Sequence, residues 1–112
     1  MAKASDDLAS RTCEPCRGGV PALDAKGYKP LLASLEGWKV VRGHHLLKEF
    51  RFKDFLDALG FVNRVGALAE EQGHHPDLHL SWGLVGVETW THKVDGLTES
   101  DFILAAKIDK LT

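Results

Sequence analysis

Leu46, Lys48, Phe50 and Phe52 alternate along the chain with Leu47, Glu49 and Arg51. This period of two predicts a strand that turns Phe50 and Phe52 toward a core. Trp38 to Val41 reads as a shorter strand before it, and Arg42-Gly43-His44 as the turn of a hairpin. From Lys53 to about Gln72 the period lengthens. Phe55, Leu59, Val62, Val65 and Ala69 fall on one stripe, widened by Ala58 and Leu68, and predict a long helix. Gly73 supplies a C-terminal stop, and Pro76 forbids continuation. Alternation resumes at Asp77 to Ser81, with Leu78 and Leu80 opposed to His79. Trp82-Gly83 suits a tight turn. Leu84 to His92 then forms the returning strand, with Val85, Val87, Thr89 and Thr91 on one face and Glu88, Trp90 and His92 on the other. A tryptophan on the nominally outer face implies partial cover there, for which another subunit is one source.

Two further helices flank this centre. Asp24 can cap a helix carrying Tyr28, Leu31, Leu32 and Leu35, although Gly27 and Pro30 weaken its first half and allow a start near Pro30. Glu36-Gly37 ends it. Near the C-terminus, Thr98-Glu99-Ser100-Asp101 resembles a capping box and opens a helix with Phe102, Leu104, Ala105, Ile108 and Leu111. The order is α-β-β-α-β-β-α. Two hairpins make a four-stranded antiparallel sheet with helices on one face, an α+β two-layer fold. The domain is expected over residues 23–112. Residues 1–22, rich in Gly, Pro and charge, are expected to be a partly ordered tail.

Bulk properties narrow the function. A chain of 112 residues fits one domain. A net charge of −2 argues against a nucleic-acid binder working through a basic field. No stretch approaches the ~20 apolar residues needed to span a bilayer, and the first residues lack the apolar core of a signal peptide. A cytoplasmic location follows as the default. The two cysteines, Cys13 and Cys16, form one CxxC. A single pair cannot complete a tetrahedral zinc site, and nothing upstream reads as the strand that redox CxxC motifs follow. The plain reading is two thiols in a flexible tail; the sharper one is a metal or redox clip.

The chemistry concentrates in histidines. His74, His75, His79 and His92 fall within one short span that holds four of the six histidines. His74 and His75 sit at the break between helix and strand, where side chains can project into a cleft. His92 lies at the far end of the partner strand, and antiparallel geometry brings the two open ends of a hairpin together. Imidazoles exchange protons near neutral pH, so three in one pocket suit a reaction that both donates and accepts protons. No serine elbow is present, and the only cysteines lie in the tail, so a proton-transfer step such as dehydration fits better than nucleophilic catalysis. Glu70, four residues before His74, could orient that imidazole if the helix persists, or could be a solvated helix-end carboxylate. A three- or four-ligand metal site from the same histidines is the competing chemistry. His44-His45 is expected in the hairpin turn, exposed and without acidic or aromatic partners; His79 reads as a half-exposed sheet residue.

The series Glu70, His74-His75-Pro76, Trp82, His92 and Asp101, at this spacing, resembles the pterin-4a-carbinolamine dehydratases. Phe50 to Phe55, Thr91-His92 and Gly96-Leu97-Thr98 extend the similarity to about residues 24–111. The resemblance implies dehydration of a 4a-hydroxytetrahydropterin, made by aromatic amino acid hydroxylases, to quinonoid dihydropterin, within tetrahydrobiopterin recycling. It implies His75 as the central acid/base residue, with His74 and His92 flanking the ring, and Glu70, Pro76 and Thr91 shaping or contacting the pterin. Asp101 belongs to the motif, but its capping position gives it a structural reason to be there. Trp82 would wall the site or simply pack. The resemblance implies no metal and no organic cofactor, a homodimer or homotetramer, and no nucleic-acid or membrane partner. The alternative is a pterin-binding or scaffolding, coactivator-type protein without turnover.

Overall fold

The computed structural model describes residues 4–13 and 21–112. The elements are α1 (Ala4–Ser10), α2 (Ala25–Ala33), β1 (Lys39–Val41), β2 (His45–Arg51), α3 (Phe55–Gln72), β3 (Asp77–Ser81), β4 (Leu84–Thr89), a short 3-10 turn (His92–Val94) and α4 (Glu99–Asp109). The strands form one antiparallel sheet in the order β1-β2-β4-β3. The fold is the expected α+β arrangement, with α1 added at its start.

The register explains the two faces. Leu46 pairs with Thr89, Phe50 with Val85 and Leu78 with Val87. These side chains point toward the helices, and Leu46, Val85, Val87 and Thr89 are wholly buried. On the opposite face His45, Glu88, His79 and Asp77 remain partly or fully open. Period-two alternation thus sorts the sheet into a packed side and an open side.

The helix α3 begins at Asp54, whose side chain accepts from the Asp57 N–H. It stops at Gly73, which adopts the left-handed conformation (φ 65°) that favours a residue without Cβ. Its buried residues are Ala58, Phe61, Val65 and Ala69. The stripe expected from the sequence was rotated: Phe55 is 43% exposed, while Phe61 is wholly buried. Phe61 packs on Phe50 and Phe52 at ring separations of 4.7 and 5.1 Å, and this aromatic contact sets the helix's rotation. Truncating such a residue to alanine costs roughly 3–5 kcal/mol.

Helix α2 starts at the Asp24 cap and so well before Pro30, which lies inside it. The segment read as a tail contributes α1, with Leu8 only 2% exposed in the core. Lys107 Nζ donates to the Ala9 carbonyl at 2.7 Å, and Arg11 meets Glu99 at 2.6 Å. Cys13 is also buried; its N–H donates to Gln72 Oε1 and its thiol to the Ser100 carbonyl. An apolar seat on α4, invisible to local periodicity, orders this stretch. Cys16 lies outside the described residues.

Candidate active site

Helix α3 ends and α4 begins at the same end of the sheet, and the candidate residues gather there. The left-handed turn at Gly73 reverses the chain, so the His74 N–H still reaches the Ala69 carbonyl at 3.2 Å while the side chains leave the helix. The His74 Nε2 lies 2.6 Å from Asp101 Oδ1. Asp101 is completely buried, and it accepts from three further donors: the Thr89 hydroxyl (2.8 Å), the Thr91 hydroxyl (2.8 Å) and the Thr98 N–H (3.0 Å).

A carboxylate acceptor at this distance calls for the proton on His74 Nε2, which leaves Nδ1 as the basic nitrogen of the neutral ring. The Thr98 hydroxyl accepts from the Asp101 N–H, completing the capping box. The Thr91 hydroxyl gives its proton to Asp101, so in its 2.8 Å contact with Thr98 it accepts. Asp101 is therefore both the structural cap expected from its position and the group that holds His74. A buried carboxylate is tolerable because its acceptor sites are filled.

His75 stands apart from this network. Its Nε2 pairs with Glu70 Oε2, and the two side chains are 59% and 78% exposed. Glu70 was expected to share a face with His74. The helix does not persist that far: the reversal at Gly73 carries His75, not His74, back over Glu70. Pro76, half-buried, follows and delivers the chain into β3.

On the other side of the break, the returning strand was expected to reach His92, but β4 ends at Thr89, and Thr91 is bridged to Gly96 at the neck of a loop instead. His92 opens the 3-10 turn and is exposed; its ring meets Trp90 edge-on at 4.7 Å. The structure thus joins His74 to Thr91 through Asp101. Among the described residues no hydrogen bond or ring contact links His92 to His74 or His75.

Two expectations change. His44 and His45 are not a bare exposed pair. Their Nδ1 atoms are 3.0 Å apart, His44 Nε2 lies 2.7 Å from Asp95, and both rings pack on Trp90 at 5.2 and 5.8 Å. The partners come from the far side of β4, beyond the reach of local sequence reading. Trp82 occupies the β3–β4 turn, at the opposite end of that hairpin from His74 and His75, and is 68% exposed. Thr89 and Trp90 are site neighbours that sequence reasoning did not select, although the face each occupies was already evident from strand parity.

Burial pushes the Cys13 thiol up to about 11, helped by Asp101 and opposed by Lys107. No helix of the described residues is long and apolar enough to cross a membrane.

The family model described as pterin 4 alpha carbinolamine dehydratase matches residues 21–111. A Rubrobacter xylanophilus protein, provisionally named pterin-4-alpha-carbinolamine dehydratase, is 55% identical over 94% of this chain and 98% of its own length. A Rickettsia bellii protein with the same provisional name is 54% identical, over 93% of each chain. Among solved structures, the transcriptional coactivator/pterin dehydratase from Brucella melitensis superposes with a TM-score of 0.76 at 33% identity, covering 80% of this chain and 97% of that one. With residues 21–111 matched end to end, and the histidine and carboxylate positions of the motif gathered at one end of the sheet, the chain belongs to the pterin-4a-carbinolamine dehydratase family of hydro-lyases.

Proposed function

We propose that this protein dehydrates a 4a-hydroxytetrahydropterin to the quinonoid dihydropterin by histidine acid/base catalysis. The observation that carries the reading is the His74–Asp101 pair beside an accessible His75–Glu70 pair: one imidazole is fixed and the other is open to substrate. Exposure and ring contact support the rest. His92, like His75, is exposed, and its ring meets Trp90 edge-on at 4.7 Å. A flat bicyclic ring held there would meet His75, Trp90 and His92 from one side and His74 from the other.

The chemistry needs two proton transfers. The C4a–O bond breaks, and the departing oxygen takes a proton from an imidazolium and leaves as water. A ring N–H gives its proton to a neutral imidazole. His75 is the central acid/base group in this reading, with His74 and His92 assisting loss of hydroxide from the two faces. General acid/base groups typically contribute about 10²- to 10⁴-fold. Asp101 fixes the tautomer and direction of His74, as carboxylates do for catalytic imidazoles elsewhere. Glu70 orients His75, Pro76 shapes the entrance, and Thr91 supports the pocket floor through Asp101. No metal or organic cofactor enters these steps. The reading includes a cytoplasmic homodimer or homotetramer, residues 23–112 as the catalytic unit, and tetrahydrobiopterin recycling as its setting.

The test is a stopped-flow assay with freshly generated 4a-hydroxytetrahydropterin. The wild-type protein should accelerate water loss, and His75→Ala should lose at least ~10²-fold. Activity should survive a chelator. An unaffected His75→Ala rate, or activity lost to chelator and restored by zinc, would overturn the reading.

A further inference from the structure

His92 is the least anchored of the three candidate imidazoles. It is exposed, and among the described residues no hydrogen bond reaches its ring nitrogens. What places it is the loop it opens. The Thr91–Gly96 bridge closes the neck of that loop, with Thr91 N–H donating to Gly96 at 2.7 Å. Asp95 closes the turn itself, in a left-handed conformation (φ 50°) with its N–H donating to the His92 carbonyl at 3.1 Å.

The tip of this loop is tied to a distant part of the chain. His44 Nε2 lies 2.7 Å from Asp95 Oδ1, across 51 residues of sequence. The His44 and His45 rings both back the indole of Trp90, and Trp90 in turn meets the His92 ring at 4.7 Å. Proton positions fit one arrangement in the neutral pair. His44 Nε2–H donates to Asp95, so His44 Nδ1 accepts from His45 Nδ1–H across 3.0 Å. The β1–β2 turn that presents His44 has two successive left-handed residues, Arg42 (φ 54°) and Gly43 (φ 66°). A long side chain at positive φ is disfavoured, and such strain persists where the surrounding structure over-determines it.

We propose that the β1–β2 turn is a positioning element for His92, with His44 holding the 92–95 loop through Asp95 and His44 and His45 together seating Trp90 behind the His92 ring. This rests on the reading of His92 as an acid/base group of the dehydration. It assigns His44, His45 and Asp95 a role in the reaction without contact with the substrate. Loss of the tie should let the His92 ring sample other orientations, which lowers the fraction poised for proton transfer and leaves pterin binding nearly intact.

The experiment compares His44→Ala, Asp95→Ala and Asp95→Asn in two measurements. One is the stopped-flow assay, resolved into kcat and KM. The other is the histidine side-chain ¹H–¹⁵N spectrum, in which the His92 signals are assigned by their loss in His92→Ala. His44→Ala and Asp95→Ala should each lower kcat about 10-fold with KM changed less than about 2-fold, and should move or broaden the His92 signals. Asp95→Asn keeps an acceptor oxygen and tolerates positive φ, so it should recover most of the loss. The Asp95 side chain is 87% exposed, so its variants test the tie even where the β1–β2 turn tolerates no change. Unchanged His92 signals with unchanged kcat in both alanine variants would overturn the positioning role. Wild-type turnover by His92→Ala would instead overturn the reading beneath it; the His92 signals of the other variants tell the two failures apart.

Discussion

His74 and His75 are neighbours in sequence and opposites in environment. The His74 side chain is 12% exposed and bonded to a carboxylate that is wholly buried; His75 is 59% exposed and bonded to a carboxylate on the surface. The left-handed Gly73 ends the helix, and the chain then turns the two imidazoles to different sides. One face looks into the packed corner between β4 and α4, where Thr89, Thr91, Thr98 and Asp101 form a closed network. The other imidazole is exposed and pairs with Glu70 on the last turns of α3. One His-His dipeptide therefore yields a rigid imidazole and an accessible one, and acid/base catalysis needs both orientation and access.

The sharpest way to break this contrast is to remove the buried carboxylate. Asp101→Ala strands four donors at once, and uncompensated buried groups of this kind cost about 3–5 kcal/mol. Urea denaturation should show that loss; a change below about 1 kcal/mol would mean that the network contributes little. The exposed half should behave in the reverse manner. His75→Ala should leave stability within about 0.5 kcal/mol while turnover falls by about 10² or more, so a variant that loses both equally would erase the distinction.

The buried corner also extends to the N-terminal segment, since Cys13 contacts the Ser100 carbonyl one residue before Asp101. Deleting residues 1–20 removes buried Leu8 and Cys13 and should lower stability by about 2 kcal/mol, read from the urea midpoint, with kcat largely retained. A folded but inactive truncation would show that the segment has a part in the chemistry. Glu70→Gln sharpens the contrast from the exposed side: an open carboxylate–histidine pair contributes about 0.5 kcal/mol or less, so turnover should fall by no more than about 2-fold.

The smallest effect concerns Cys13 itself. Its pKa is raised from 9.0 to about 11 because burial disfavours the thiolate. The stability this provides is present below about pH 9 and is lost as pH rises toward about 11. At pH 8, alkylation of Cys13 in the folded protein, followed by peptide mass spectrometry, should be slower than in urea; equal rates would contradict its burial.

Much of this architecture was legible from periodicity. The bounds of β3, the Gly73 stop, the Asp24 cap and the burial of Val85, Val87 and Thr89 on one face of β4 all follow from rules that act within a few residues. The expected continuation of that strand to His92 does not hold, because the chain leaves the sheet after Thr89. The failures share a cause. Phe61 replaced Phe55 in the core because Phe50 and Phe52, on another element, set the helix rotation. His44 and His45 acquired partners because Asp95 and Trp90 arrive from beyond β4. The first helix is ordered by α4, far along the chain. The site was half legible for the same reason. The histidines and Asp101 were marked by spacing, but the pairing of Glu70 with His75 and of Asp101 with His74 depended on the turn at Gly73 and on the packing of α4.

The central claim is that positions 74, 75 and 92 surround one pterin. Titrating the ¹⁵N-labelled protein with a dihydropterin product analogue, and following the histidine side-chain signals, tests it most directly. The account predicts that the His74, His75 and His92 signals move together with a single affinity while His79 stays put. Movement of His74 and His75 with His92 unaffected would contradict it.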